Sequence, residues 1–172
     1  MSIAILGLIL LSHCAEIKIN TQQARDADFK NYKSWCWLNN CEPSYSGPEM
    51  LYDSTVLVHI ADALARQMHS KGYVKSESDA DILLDFHIIL EEDSATIARV
   101  QEEDLPSWDP YEEPAAYYHF LRGSLIVDIT DRRHGHMIWR GQAKKLMSAN
   151  PQIDPVEIEA GVSKLMRKFP SK

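Results

Sequence analysis

Residues 121–147 read Leu121-Arg122-Gly123-Ser124-Leu125-Ile126-Val127-Asp128-Ile129-Thr130-Asp131-Arg132-Arg133-His134-Gly135-His136-Met137-Ile138-Trp139-Arg140-Gly141-Gln142-Ala143-Lys144-Lys145-Leu146-Met147. Leu121 to Thr130 is a strand pattern, with Leu125, Val127 and Ile129 on one face by period-two alternation. Asp131 to Gly135 forms a tight turn in which glycine makes positive φ inexpensive, and His136 to Met147 returns as the partner strand. The hairpin predicts an antiparallel sheet, and the remaining elements are placed around it.

Working outward, Ile82 to Leu90 is a strand with apolar residues on both faces, interrupted by Asp85 and His87. Phe29 to Leu38 is an aromatic strand on which Trp35 and Trp37 share a face, and Ile17 to Thr21 adds a strand before it. Asn39 to Pro48 is a loop. A helix over about Ser54 to Lys71 has Leu57, Ile60, Leu64 and Met68 as its stripe, with Ala61 and Ala65 between them. Asp53 or Ser54 caps its start and Gly72 ends it. The last helix opens on Asp154-Pro155-Val156-Glu157, giving an N-cap, a proline at the first helical position and a capping-box acid. Its stripe is Ile158, Val162, Leu165 and Phe169. The expectation is an α+β domain: a mainly antiparallel sheet of about 4–5 strands, with both amphipathic helices on one face.

The chain has 172 residues, 45% hydrophobic and 25% charged, which suits one globular domain with an ordinary core. Its net charge of -7 argues against a nucleic-acid partner, since phosphate binding needs a basic face. Glu91 to Glu113 holds nine acids and one base (-8), so the rest sums to +1. The acidity is therefore local, an exposed insertion over 91–113. Ser94 to Glu103 fits a helix or a strand extension equally, and the three prolines in Leu105 to Pro114 make that part irregular.

At the other end, the apolar run Ile3 to Leu11 is too short to cross a bilayer, which takes about 20 residues, and suits a signal-peptide core. It ends on Cys14, with Leu11 three residues before, and resembles a bacterial lipobox. The organisation expected is a signal peptide at 1–13 whose basic start lies upstream, a lipid-anchored linker or first strand at 14–26, and one domain at 27–172. His13 stands where a lipobox usually has a smaller residue, and Ala15 after the cysteine favours the outer membrane by the same resemblance. The competing reading is a buried N-terminal segment of a cytosolic protein. With Cys14 lipidated, Cys36 and Cys41 are left either to pair, as an oxidising envelope allows, or to stay as two small buried thiols.

Several strings in this order resemble one family. They are Ala27-Asp28-Phe29-Lys30-Asn31-Tyr32-Lys33-Ser34-Trp35 with Trp37, Lys71-Gly72-Tyr73, Ala80-Asp81-Ile82-Leu83-Leu84, Gly123 to Ile129 before Asp131, Ile138-Trp139-Arg140-Gly141, and the closing Phe169-Pro170. Together they resemble the bacterial envelope lipoproteins grouped as domain of unknown function 4136. The resemblance implies a lipid-anchored envelope protein with one α+β domain, and it brings no catalytic residues.

Candidate chemistry is sparse. Asp128 and Arg140 fall on adjacent strands of the hairpin and are expected to pair across it as a structural ion pair. His134 and His136 are weak metal candidates, because alternate residues of a strand share a face and imidazole suits zinc, copper or nickel. Asp104 and Asp109, with Glu112 and Glu113, are weak calcium candidates. Trp108, Tyr111, Tyr117 and Tyr118, among and beside these acids, suit a protein or glycan contact surface and equally the packing of this segment onto the body. His87 reads as a semi-buried histidine, not a base. Serine-hydrolase, zinc-protease, phosphate-loop and Cys-x-x-Cys motifs are all absent. The leading expectation is thus a noncatalytic, lipid-anchored protein on the periplasmic side of the outer membrane, with an envelope protein as partner and no cofactor. The alternatives are a metal or small-ligand binding protein and, third, an envelope hydrolase.

Overall fold

A computed structural model describes residues 17–96, 117–147 and 154–172. The expected signal peptide and Cys14, the acidic residues Asp104, Asp109, Glu112 and Glu113, and Trp108 and Tyr111 lie outside them. Among the described residues six strands form one sheet: β1 (Lys18–Gln23), β2 (Ser34–Trp37), β3 (Val74–Lys75), β4 (Ile82–Thr96), β5 (Tyr117–Asp131) and β6 (Met137–Met147). The helices are α1 (Ser54–Ser70) and α2 (Pro155–Met166). Across the sheet the order is β1-β6-β5-β4-β2-β3.

The hairpin predicted over 121–147 is β5 and β6, and β4 and β1 extend it antiparallel on either side. The sheet differs from the expectation in having six strands and in being mixed, since β2 runs parallel to both β4 and β3. The reason is connectivity: α1 lies between β2 and the strands beside it, and a helical crossover returns the chain in the same direction. β2 is also shorter than the predicted Phe29 to Leu38. Asp28 accepts from Lys30 N and Asn31 Nδ2, a local turn that holds Phe29 to Tyr32 out of the sheet. Ser94 to Thr96 are strand, the end of β4, pairing with β5 as far as Thr96 opposite Tyr117.

The inner face follows from the register. Leu84, Ile129 and Trp139 lie across from one another, as do Phe86, Val127 and Gly141. Both helices cover this face, and one core joins it to Val56, Ile60, Leu64, Met68, Val162, Leu165 and Met166. On α1, Val56 and Ala63 are buried although outside the predicted stripe, whereas Leu57 and Ala65 are only partly so. The register shifts between Ile129 and Thr130, leaving Ile138 as an extra residue of β6. That bulge lets the consecutive Ile138 and Trp139 both be buried, which simple alternation forbids.

Each helix end has its chemistry. Asp53 accepts from Thr55 N at 2.7 Å, and Asp154 from Val156 N at 2.9 Å. Glu157, the predicted capping-box acid, accepts from Lys145 of β6. At the C-terminus of α1, Tyr73 N donates to Met68 O and Gly72 N to His69 O, with Gly72 at φ +89°, a Schellman closure. The last residues dock beside it: Lys71 Nζ donates to Phe169 O, and Lys172 N to Lys71 O. Phe169 lies beyond the end of α2, yet it is buried where the rings of Phe29, Tyr73 and Trp139 meet it, centroids 5.2–5.5 Å away.

Candidate functional site

Three features are candidates: two polar clusters and one apolar cleft. The first is the open face of the sheet, where Asp85, His87, Asp128 and Arg140 point away from the helices. Register places Asp128 opposite both Asp85 and Arg140. Arg140 donates from Nε and a terminal nitrogen to the two oxygens of Asp128, at 2.6 and 2.7 Å. This bidentate pairing holds the guanidinium pKa above its ordinary value. His87 Nε2 lies between two carboxylates, 3.4 Å from Asp85 Oδ2 and 3.5 Å from Asp128 Oδ2.

The second is the turn after β5. Asp131, 4% exposed, accepts from Tyr32 Oη at 2.7 Å and from His134 N at 2.8 Å, with His134 Nδ1 3.0 Å away. Burial pushes its carboxyl pKa up, but the hydrogen bonds from the His134 ring, Tyr32 and the His134 backbone outweigh that and hold it well below the carboxylate range. Tyr32 is pushed up by burial and by its bond to Asp131. Beside it, Asp81 takes bonds from Lys33 N, Ser34 N and Ser34 Oγ, which outweigh its burial and lower its pKa. These two carboxylates fasten the segment before β2 to the strand ends. Neither is placed as a proton donor, because both are held ionised.

His134 and His136 lie in this turn, before β6 begins at Met137, so strand alternation does not set their facing. Their ring centroids are 5.8 Å apart, and Nδ1 of His134 faces Asp131. Among the described residues, no group of three or more His, Cys, Asp or Glu side chains is placed to hold a metal ion. Cys36 and Cys41 form a disulfide, closing a loop in which Asn40 and Cys41 adopt positive φ. Sequence reasoning does not single out Tyr32, Asp81 or Asp131 as a cluster. The available signal is local: Asp81 immediately precedes one strand, and Asp131 opens the turn after another.

The third feature is an apolar cleft of about 140 Å³ between the N-terminal ends of both helices and the sheet. Ile17, Ile60, Ile88, Leu125, Ile158 and Gly161 line it, and the Lys145–Glu157 ion pair stands at it. No helix among the described residues is long and apolar enough to cross a membrane.

A single sheet carrying two helices on one face defines an α+β domain. The chain belongs to the family described as domain of unknown function DUF4136, which it matches over residues 19–171. A search of curated proteins finds no match. Among solved structures, it is similar to a DUF4136 family protein from Bacteroides thetaiotaomicron, 15% identical, with a TM-score of 0.51 over 86% of this chain and 92% of that one. It is similar also to a PelC dodecamer from Paraburkholderia phytofirmans, 8% identical, with a TM-score of 0.53 over 91% and 100% of the two chains. A PDZ domain protein from Parabacteroides distasonis is 14% identical with a TM-score of 0.51, and this chain, covered over 92%, spans 38% of it. At such identities the likeness is one of fold.

Proposed function

We propose that this protein is lipid-anchored through Cys14 at the cell envelope, faces the periplasm from the outer membrane, and acts noncatalytically through contacts with an envelope protein. The observation that carries the reading is the Cys36–Cys41 disulfide. It occupies two of the three cysteines, and such bonds persist in oxidising compartments. Cys14, at the end of a signal-like apolar run, is then the one cysteine left for an acyl anchor. The polar clusters support the noncatalytic part, since the carboxylates of Asp81, Asp128 and Asp131 are all engaged in bonds that hold strands and turns together. PelC, of the same fold, forms a dodecamer, an example of this architecture serving as an assembly unit.

The test is the intact mass of protein extracted from the membranes of cells expressing it from its own locus. The expected result is a chain beginning at Cys14 and carrying acyl mass, with Cys14→Ser recovered unacylated. A membrane fraction whose mature chain carries no acyl mass refutes the anchor. Crosslinking in cells that yields no reproducible envelope partner refutes the contact role.

A further inference from the structure

We propose that the apolar cleft between the helices and the sheet seats an alkyl chain carried on Cys14, sheltering it from water when the protein is off the membrane. The inference rests on the anchor reading above and gives that lipid a place in the fold. Three observations lead to it. The first is position: Ile17 lies on the wall of the cleft, three residues after Cys14. Three residues span at most about 10 Å, so a lipid on Cys14 starts within that distance of Ile17 and can reach the cleft.

The second observation is that this entry point is fixed. Lys164 Nζ of α2 donates to Ile17 O at 2.7 Å, and the Ile17 side chain packs against the core beside Gly161. The third is chemistry and size. The walls are mostly aliphatic, from β4, β5, β6, α1 and α2, with Ser124, Lys145, Asp154 and Glu157 as their polar members. An enclosed apolar cavity of about 150 Å³ takes a six-carbon ligand, so this open cleft of about 140 Å³ has room for about six carbons of an alkyl chain. Bilayer hydrocarbon is as apolar as these walls, so the cleft has no advantage over the membrane and fills only in water.

Gly161 provides a selective way to block the site. A Cβ built there meets only Ile17 Cδ1, at 3.9 Å, so the first atom of a larger side chain fits at the cleft wall. Replacing a helical glycine also favours the helix, which keeps the variant folded. The probe is cis-parinaric acid, followed by its fluorescence. Unacylated Cys14→Ser protein is expected to bind it with a micromolar Kd. Acylated native protein, transferred out of detergent, is expected to bind at least tenfold more weakly because its own chain fills the seat. Gly161→Leu in the Cys14→Ser background is expected to bind at least tenfold more weakly with an unchanged or higher Tm.

No binding by Cys14→Ser overturns the cleft as an alkyl seat and leaves the anchor standing. Unchanged binding by Gly161→Leu overturns this location. Equal binding by the acylated and unacylated forms overturns the Cys14 lipid as occupant and makes the cleft a site for lipid from elsewhere. A native chain with no acyl mass overturns the anchor and this occupant together, and the mass spectrum distinguishes that outcome from the others.

Discussion

Replacing Gly141 with Ala sets two effects of opposite sign against each other. Gly141 lies in the middle of β6, opposite Val127. An alanine in place of a strand glycine stabilises by about 0.4–1 kcal/mol when its Cβ is accommodated, because the unfolded chain loses freedom. Here the Cβ is not accommodated. It would stand 2.8 Å from Leu165 Cδ1 and 2.8 Å from Trp139 Cζ3, with Trp139 Cη2 closer still. Trp139 folds its indole back over the glycine two residues on, and Leu165 closes the space from α2. Both are at most 1% exposed, so neither can move into solvent. Overpacking of this kind costs about 1–3 kcal/mol, and crowding from two elements at once places it toward the upper end.

The net expectation is a loss of about 2 kcal/mol. For a chain of 172 residues this lowers Tm by roughly 4–8 °C in thermal unfolding followed by circular dichroism. A double-mutant cycle with Leu165→Ala identifies the cause. Leu165→Ala alone costs about 2–5 kcal/mol through the cavity it leaves, and the Cβ added by Gly141→Ala would occupy part of that cavity. The double variant is therefore expected to be more stable than the sum of the two losses by about 1–2 kcal/mol. An unchanged Tm for Gly141→Ala, or strict additivity in the cycle, refutes the reasoning.

Phe169→Ala removes the ring on which Phe29, Tyr73 and Trp139 converge, and is expected to cost about 3–5 kcal/mol by chemical denaturation, with Phe169→Leu losing much less. Asp131→Asn probes the turn through pH. Because the folded carboxyl is held below its unfolded value near 4, its contribution is complete above that value and disappears as pH falls through the lowered one. Wild type is thus expected to exceed Asp131→Asn in stability at pH 7, with the gap closing below pH 4 in denaturant titrations; a constant gap would contradict this. Arg140→Ala leaves Asp128 facing Asp85 and is expected to cost about 1 kcal/mol, most of it recovered by adding Asp128→Asn.

Features governed by neighbours in sequence were legible from residue order alone. The β5–β6 hairpin, the Asp53 and Asp154 caps, and Gly72 after α1 each depend on contacts within a few residues, as do turn and capping energies. The Asp128–Arg140 pairing was legible for the same reason, since a tight turn sets register and so fixes which side chains face. Periodicity also put Ile60, Leu64 and Met68 on one side of α1.

What lay beyond the sequence was set by segments far apart along it. Alternation reads the same in parallel and antiparallel strands, so the parallel placement of β2 beside β4 emerged only once α1 was packed across the sheet. The bulge at Ile138 exists because a bulky core admits two adjacent side chains there, which no period predicts. Asp131 looked like an ordinary turn residue until Tyr32, 99 positions earlier, was brought onto its carboxylate. Periodicity assigns Phe169 to a helical stripe, whereas its place comes from the rings of Phe29, Tyr73 and Trp139, contributed by three different parts of the chain. The proposal of an anchor at Cys14 rests on the opening residues alone. The apolar cleft beside Ile17 came into view only when both helices and the sheet had enclosed it, because a cavity is a property of surfaces that meet and not of any segment taken singly.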